Sequence, residues 1–355
     1  RWKRANVHEV YYASWFGVST DIDDNSPLIQ NIFNVIPSNS ILIFGPGIYR
    51  CKQTITMPDN PEVDGSVKRI ALQGSIKAGG HLGLPLVSLA YVGPARSTLT
   101  PFIDLRGSTQ DKTYTSSIRN IEFNGASKSN NIVGLWFYNC QHSTFEGVRL
   151  VQFKYGMIIE NYYYLSKFND VIYAACYCGL QSNGPGNNSV FNNCIFLRDD
   201  IGFEYNQNSG TGIQFNDCDF EENTIAIRAY IPQSLYINHC YFENNANYII
   251  DIYDIDDQVE PLVVINNSFI RISATQPDSN KAVIRQTSQF NKTFSYSITE
   301  NIINTHRVPD YFIYVESGNV NIKAENNKSV NPESLFPICS KTPLNTSYFN
   351  NDFSQ

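Results

Sequence analysis

The residues best suited to chemistry are five acids near the middle of the chain, Asp199, Asp200, Glu221, Glu222 and Glu243, with Arg198 beside the first of them. Glycosidic hydrolysis usually needs two carboxyl groups, one to protonate the leaving oxygen and one to act as nucleophile or base. Gathered like charges repel, and the repulsion raises one pKa toward the value a general acid requires. Glu221 or Glu222 is the expected acid, and Asp199, Asp200 or Glu243 the expected base or nucleophile. Arg198 is an expected substrate ligand. Tyr163, Tyr177 and Tyr205 would add aromatic faces for stacking on sugars. The run Asp251, Asp254, Asp256, Asp257 reads as a surface loop, and His239 as an ordinary hydrogen-bonded histidine rather than the base of a lyase.

Other chemistries lack their residues. The P-loop, HExxH, GxSxG and GxGxxG patterns are absent, and the eight cysteines form no CxxC pair and no Cys/His metal spacing. Neither a metal nor another cofactor is expected. With 26 Lys and Arg against 33 Asp and Glu, the net charge of −7 leaves no basic stripe for nucleic acid. No run approaches the roughly 20 apolar residues of a membrane-spanning helix, so membrane insertion is not expected.

The elements that must position the acids are given by a repeat. KFNDV at 167–171, VFNNC at 190–194, QFNDC at 214–218, YINHC at 236–240 and VINNS at 264–268 share one pattern. Its leading apolar residue recurs at Phe145, Phe168, Phe191, Phe215, Ile237 and Ile265, a period of about 23 residues. Each period holds short alternating runs that read as strands, and an aromatic content of 13% suits pleated surfaces. The fold class is therefore all-β, a parallel β-helix in which each coil stacks on the last.

Stacking the coils reads out the columns. Val148, Val171, Cys194, Cys218, Cys240 and Ser268 form a small core column, and Leu150, Tyr173, Phe196, Phe220, Phe242 and Ile270 a large one. The stacked thiols are expected to be buried hydrophobes, with disulfides between coils neither required nor excluded. Asn169, Asn192, Asn216, Asn238 and Asn266 make a ladder that would satisfy backbone groups at a bend. Counted from the small column, Glu221 and Glu243 stand at position +3, Glu222 at +4, Asp199 at +5 and Asp200 at +6. Coils repeat at about 4.8 Å, so Glu221 with Glu243 suits a retaining hydrolase, and Asp199 or Asp200 with Glu243 an inverting one.

Upstream, Ser26 to Ile36 has apolar residues at helical spacing, with Ser26 as expected N-cap and Pro27 at the first helical position. This capping helix would cover the open first coil. Ser40–Phe44 and Gly45–Arg50 then read as a strand, a tight turn and a second strand. Trp15-Phe16-Gly17-Val18, the acidic Asp21–Asp24, the helix and Phe44-Gly45-Pro46-Gly47-Ile48-Tyr49 together resemble the opening of pectate-lyase-like β-helix proteins, most of all bacteriophage tailspike depolymerases. Ser19-Thr20-Asp21-Ile22-Asp23 departs from the Gly-Asp-Gly more usual there, which bears on the turn rather than the fold.

The resemblance implies a right-handed helix, a homotrimer, and cleavage of a bacterial capsular or O-antigen polysaccharide from a virion tail outside the host cell. It supplies no catalytic residues. Three parts are expected: residues 1–37 with the capping helix, a β-helix over 38–330, and an irregular tail over 331–355. Glycosidic hydrolysis is the expected reaction. The alternatives are β-elimination on a uronic-acid polymer, or a receptor-binding β-helix without turnover.

Overall fold

The computed structural model describes residues 9–75, 87–107, 112–206, 212–230, 234–253, 262–272, 282–287, 293–305, 311–315, 319–329, 338–340 and 344–349. The chain winds through three parallel sheets of 13, 11 and 12 strands, called here sheets 1, 2 and 3, each strand pairing with its equivalent one coil away. It is a parallel β-helix, as the repeat predicts. The spacing averages about 26 residues per turn rather than 23. The reason is local: Phe145, Phe168 and Phe191 pair in successive strands of sheet 1, but Ile265 pairs with Ile298, so later coils carry longer connections.

The predicted columns fill the interior. Phe145, Phe168, Phe191 and Phe215 stack with ring centroids 4.9, 4.4 and 4.8 Å apart, and Tyr173, Phe196, Phe220 and Phe242 at 4.8, 4.7 and 5.0 Å. Stacked rings at the strand spacing bury apolar surface in close contact. Cys194, Cys218 and Cys240 are buried free thiols beside these rings.

The Asn ladder exists but faces outward. Asn192 donates to Asn169 at 2.9 Å, Asn216 to Asn192 at 3.1 Å and Asn238 to Asn216 at 3.1 Å, amide to amide, on half-buried side chains. The bend falls one residue later, where Asp170, Asn193, Asp217, His239 and Asn267 all take left-handed φ near 50°. His239 is thus a bend residue, its ring 3.8 Å from Asp217. Buried asparagines that satisfy backbone groups lie at the corner between sheets 2 and 3, Asn223 with Asn245, and further along the bend of His239 and Asn267, where Asn301 and Asn327 follow Ser268 in the small core column.

The helix spans Ser26–Val35 and buries Ile29, Ile32 and Phe33, but its N-cap is Asn25 rather than Ser26. The Ser26 hydroxyl instead accepts from the backbone of Lys52 and Gln53 at 2.9 and 3.0 Å, tying the helix to the first coil. Gln30 acts as a surrogate strand: its amide donates to the Thr56 carbonyl at 2.9 Å and accepts from the Thr56 N–H at 2.7 Å, closing the edge of sheet 3. Strand Val10–Tyr12 pairs with Ile41–Ile43 and covers the edge of sheet 1. At the far end, Ile338–Ser340 and Leu344–Phe349 add rungs to sheets 3 and 1, so the segment expected to be an irregular tail contains two strands of the helix. No helix among the described residues is long and apolar enough to cross a membrane.

Candidate active site

Sheet 2 carries the acidic group. Its inward residues Leu150, Tyr173, Phe196, Phe220 and Phe242 are flanked by positions whose side chains face out, because the side-chain period of a strand is two. One outward line runs Val151, Ala174, Leu197, Glu221, Glu243, Arg271, and the other Arg149, Ile172, Ile195, Asp219, Tyr241, Phe269. The face changes character along its length. Ile172, Ala174 and Ile195 pack with Val151 and Leu197 into an apolar strip, and the next two rungs bring Glu221 and Glu243.

Glu221 and Glu243 are register partners on adjacent rungs. Glu243 is fixed from two sides, accepting from the Tyr241 hydroxyl at 2.7 Å and paired with the Arg271 guanidinium. Tyr241 in turn stacks on Phe269 at 5.5 Å.

The other three acids do not join them. Glu222 occupies the corner after the strand with φ 55°, and its carboxylate accepts from Arg198 Nε at 2.6 Å with both side chains well exposed. The hydrogen bond to Glu222, its charge and that of Glu221 raise the Arg198 pKa. Asp200 is paired with Lys128 at 2.6 Å, half exposed. Asp199 points the opposite way, into the interior, where burial pushes its carboxyl well above the usual carboxylate range.

The predicted tyrosines separate as well. Tyr163 and Tyr205 are buried in the core, so neither offers a face to a sugar. The physical reason is strand alternation in Tyr155–Tyr164: Tyr162 and Tyr164 stack on each other at 4.6 Å, while Tyr163 between them packs edge-on against Phe168. Tyr177 alone of the three is accessible, with the Lys154 ammonium 3.9 Å from its ring centre. Asp251 lies not in a loop but in strand Tyr248–Tyr253, buried and held by two 2.8 Å bonds from Arg285. Asp254, Asp256 and Asp257 lie outside the described residues.

A second polar surface on sheet 3 escaped the sequence reading. The Arg106 guanidinium lies 4.0 Å over the Trp136 ring, the indole N–H donates to Glu160 at 2.7 Å, and Asn183 donates to the other oxygen of Glu160 at 2.9 Å. Further along, Gln181 and Arg228 bind Glu204, and Arg228 and Arg285 bind Asp251. The 23-residue offset from Glu160 to Asn183 and from Gln181 to Glu204 is the signal that would have found it. Its charges satisfy one another, which is what a stabilising ladder does. Among the described residues no group of three or more His, Cys, Asp or Glu is arranged to hold a metal ion.

No protein-family description and no curated protein sequence matches the chain. Solved structures do. The catalytic unit of a thermostable GH87 α-1,3-glucanase from Streptomyces thermodiastaticus superposes with TM-score 0.55 at 11% identity, over 98% of this chain and 68% of that one. A surface adhesin of Streptococcus pneumoniae gives 0.55 at 12% identity, over 96% and 90%. An Acinetobacter phage tailspike protein gives 0.49 at 11% identity, over 97% of this chain, which spans only 59% of the tailspike's length. At such identities the likeness is one of fold: the chain shares the β-helix of the glucanase and the adhesin.

Proposed function

We propose that this β-helix binds an extended bacterial surface polysaccharide, capsule or O-antigen, along the outer face of sheet 2 and hydrolyses its glycosidic bonds. The observation that carries the reading is the placement of Glu221 and Glu243 at one register position on adjacent rungs. Strands about 4.8 Å apart put such carboxyl groups near the roughly 5–5.5 Å separation of retaining hydrolases. Glu243, oriented by Tyr241 and Arg271, takes the role of nucleophile. Glu221 on the preceding rung protonates the leaving oxygen and then activates water. The apolar strip on the same face buries Ile172, Ala174 and Ile195 and leaves the half-buried Val151 and Leu197 at its edge to meet the carbon faces of neighbouring sugars.

The fold does not choose the reaction, since a glucanase and an adhesin share it equally well. The resemblance of the N-terminal region supports a place for the chain in the tailspike of a virion, as a homotrimer acting outside the host cell. Incubation with a panel of purified capsular and O-antigen polysaccharides is the test, with polymer size and new reducing ends as readouts. Shortened polymer with new reducing ends supports hydrolysis. Products absorbing in the near ultraviolet replace hydrolysis by β-elimination, and retention of an uncut polymer replaces both by binding alone. Light scattering checks the assembly: a mass of three 40.2 kDa chains is expected, and a stable monomer overturns the trimer.

A further inference from the structure

At the corner between sheets 2 and 3, the third residue after the large core residue of each rung is buried: Cys176, Asp199, Asn223 and Asn245, following Tyr173, Phe196, Phe220 and Phe242. These side chains bond in one repeating pattern. Each side-chain oxygen accepts from the backbone N–H of the preceding member: Asn245 from Asn223 at 3.2 Å, Asn223 from Asp199 at 2.9 Å, Asp199 Oδ1 from Cys176 at 2.7 Å. Each amide nitrogen donates one rung back, Asn245 to the Phe220 carbonyl at 2.9 Å and Asn223 to the Phe196 carbonyl at 2.8 Å, and Asn223 Nδ2 also reaches Asn245 Oδ1 at 3.1 Å. The Cys176 thiol makes the equivalent contact with the Leu150 carbonyl at 3.6 Å.

Asp199 breaks the pattern at one atom. With Oδ1 in the accepting role, the repeat gives Oδ2 the place that Nδ2 holds in Asn223 and Asn245, and this buried oxygen as a carboxylate has no hydrogen-bond partner among the described residues. The acceptors equivalent to those of Asn223 are the Tyr173 carbonyl and Asn223 Oδ1. An ionised carboxylate would set a buried negative charge against two further oxygens, which is strongly unfavourable. A protonated carboxyl has the shape of an asparagine amide and supplies the missing donor.

We infer that Asp199 is a neutral carboxylic acid standing in for asparagine in this ladder, its Oδ2–H donating into the acceptors formed by the Tyr173 carbonyl and Asn223 Oδ1, and that the corner is thereby an alkali-sensitive joint of the helix. Burial pushes this carboxyl far up, the Cys176 N–H opposes the rise, and the nearest charged groups, Asp200 and Lys128, act in opposite directions and pair with each other. The remaining titratable neighbours, Tyr173, Cys176 and Cys178, are buried and have their own pKa values raised by desolvation, so they stay neutral.

The sign follows from linkage. In the unfolded chain an aspartate ionises near pH 3.9, about the usual value. With the folded value higher, the stabilisation is complete below that pH and is lost as pH rises toward the folded value, the unfolding constant growing about tenfold per pH unit across the window. Urea unfolding of the whole chain from pH 4 to 9, for the parent and Asp199→Asn, tests it. The parent's midpoint should fall with rising pH by more than the variant's, and Asp199→Asn should be the more stable protein at pH 8. A variant less stable than the parent at pH 8 overturns the inference, because the ladder would then need the charge. Infrared spectra of the parent with carbon-13-labelled aspartate give an independent reading. A protonated-carboxyl band at neutral pH that moves on labelling is expected, and its absence overturns the inference whether or not the variant folds.

Discussion

Glu243 and Arg271 face each other across adjacent rungs of sheet 2, and the Tyr241 hydroxyl, donating to the same carboxylate at 2.7 Å, holds Glu243 from the side. An acid fixed by two donors has little freedom to move, which suits the proposed role of nucleophile. Glu243→Gln and Glu221→Gln should each lower polymer cleavage by about 10²-fold or more while binding persists, since shape is kept and the reacting carboxyl is lost. Arg271→Met should lower the rate less, by about tenfold, with its effect on kcat rather than KM, because it removes orientation and not the reacting group. Initial rates on a cleaved polysaccharide check all three, and near-parental rates for both glutamates would remove the site from sheet 2.

The corner acids should behave otherwise. Glu222 and Asp200 are engaged by Arg198 and Lys128 in exposed ion pairs, which contribute little to stability and are screened by salt. Glu222→Gln and Asp200→Asn are expected to keep melting temperature and cleavage rate close to the parent. A large loss of cleavage from either, with the fold intact by circular dichroism, would move the reaction to the corner.

What was legible in the sequence was whatever repeats. Phe145, Phe168 and Phe191 recur at the coil period, so the sheet, the stacked core and the alignment of Glu221 with Glu243 could be read from spacing alone. Inward or outward direction at corners could not. Asp199 and Asp200 are neighbours in sequence, yet one is buried and the other half exposed, because the corner backbone around Arg198, with φ 58°, turns them apart. Tyr163 shows the cost of reading a run of like residues without the two-residue period: Tyr162 and Tyr164 are outside and Tyr163 is core. The sheet 3 network is legible only in part: Glu160 with Asn183 follows the 23-residue offset, whereas Trp136, whose register partner is Ile158, reaches two residues further to Glu160.

Two asparagine ladders predict different penalties. Among the described residues the Asn216 side chain exchanges bonds with the amides of Asn192 and Asn238, on a half-buried face where water can replace it, so Asn216→Leu should cost about 1 kcal/mol. Asn223 is fully buried and serves the Phe196 carbonyl and the Asp199 N–H, so Asn223→Leu strands two backbone groups and should cost about 2–4 kcal/mol. Chemical unfolding of the two variants side by side checks the order, and equal penalties would mean that the outer ladder carries more of the fold than its exposure suggests.

The capping helix is held at its C-terminal end by one side chain. The Lys68 ammonium, on a residue only 8% exposed, donates to the carbonyls of Phe33, Asn34 and Ile36 at 3.1, 2.8 and 2.9 Å, groups that a helix end otherwise leaves without partners. Lys68→Met keeps the apolar stem and removes all three donors, so it should destabilise the N-terminal cap by about 2 kcal/mol. The loss should be local. Hydrogen exchange is expected to quicken in the helix Ser26–Val35 and in strand Ile55–Thr56, which Gln30 of that helix closes, while the stacked rungs from Phe145 to Phe242 keep their protection. Unchanged exchange in the helix would show that its apolar face, Ile29, Ile32 and Phe33, is enough to hold it on the first coil without the lysine.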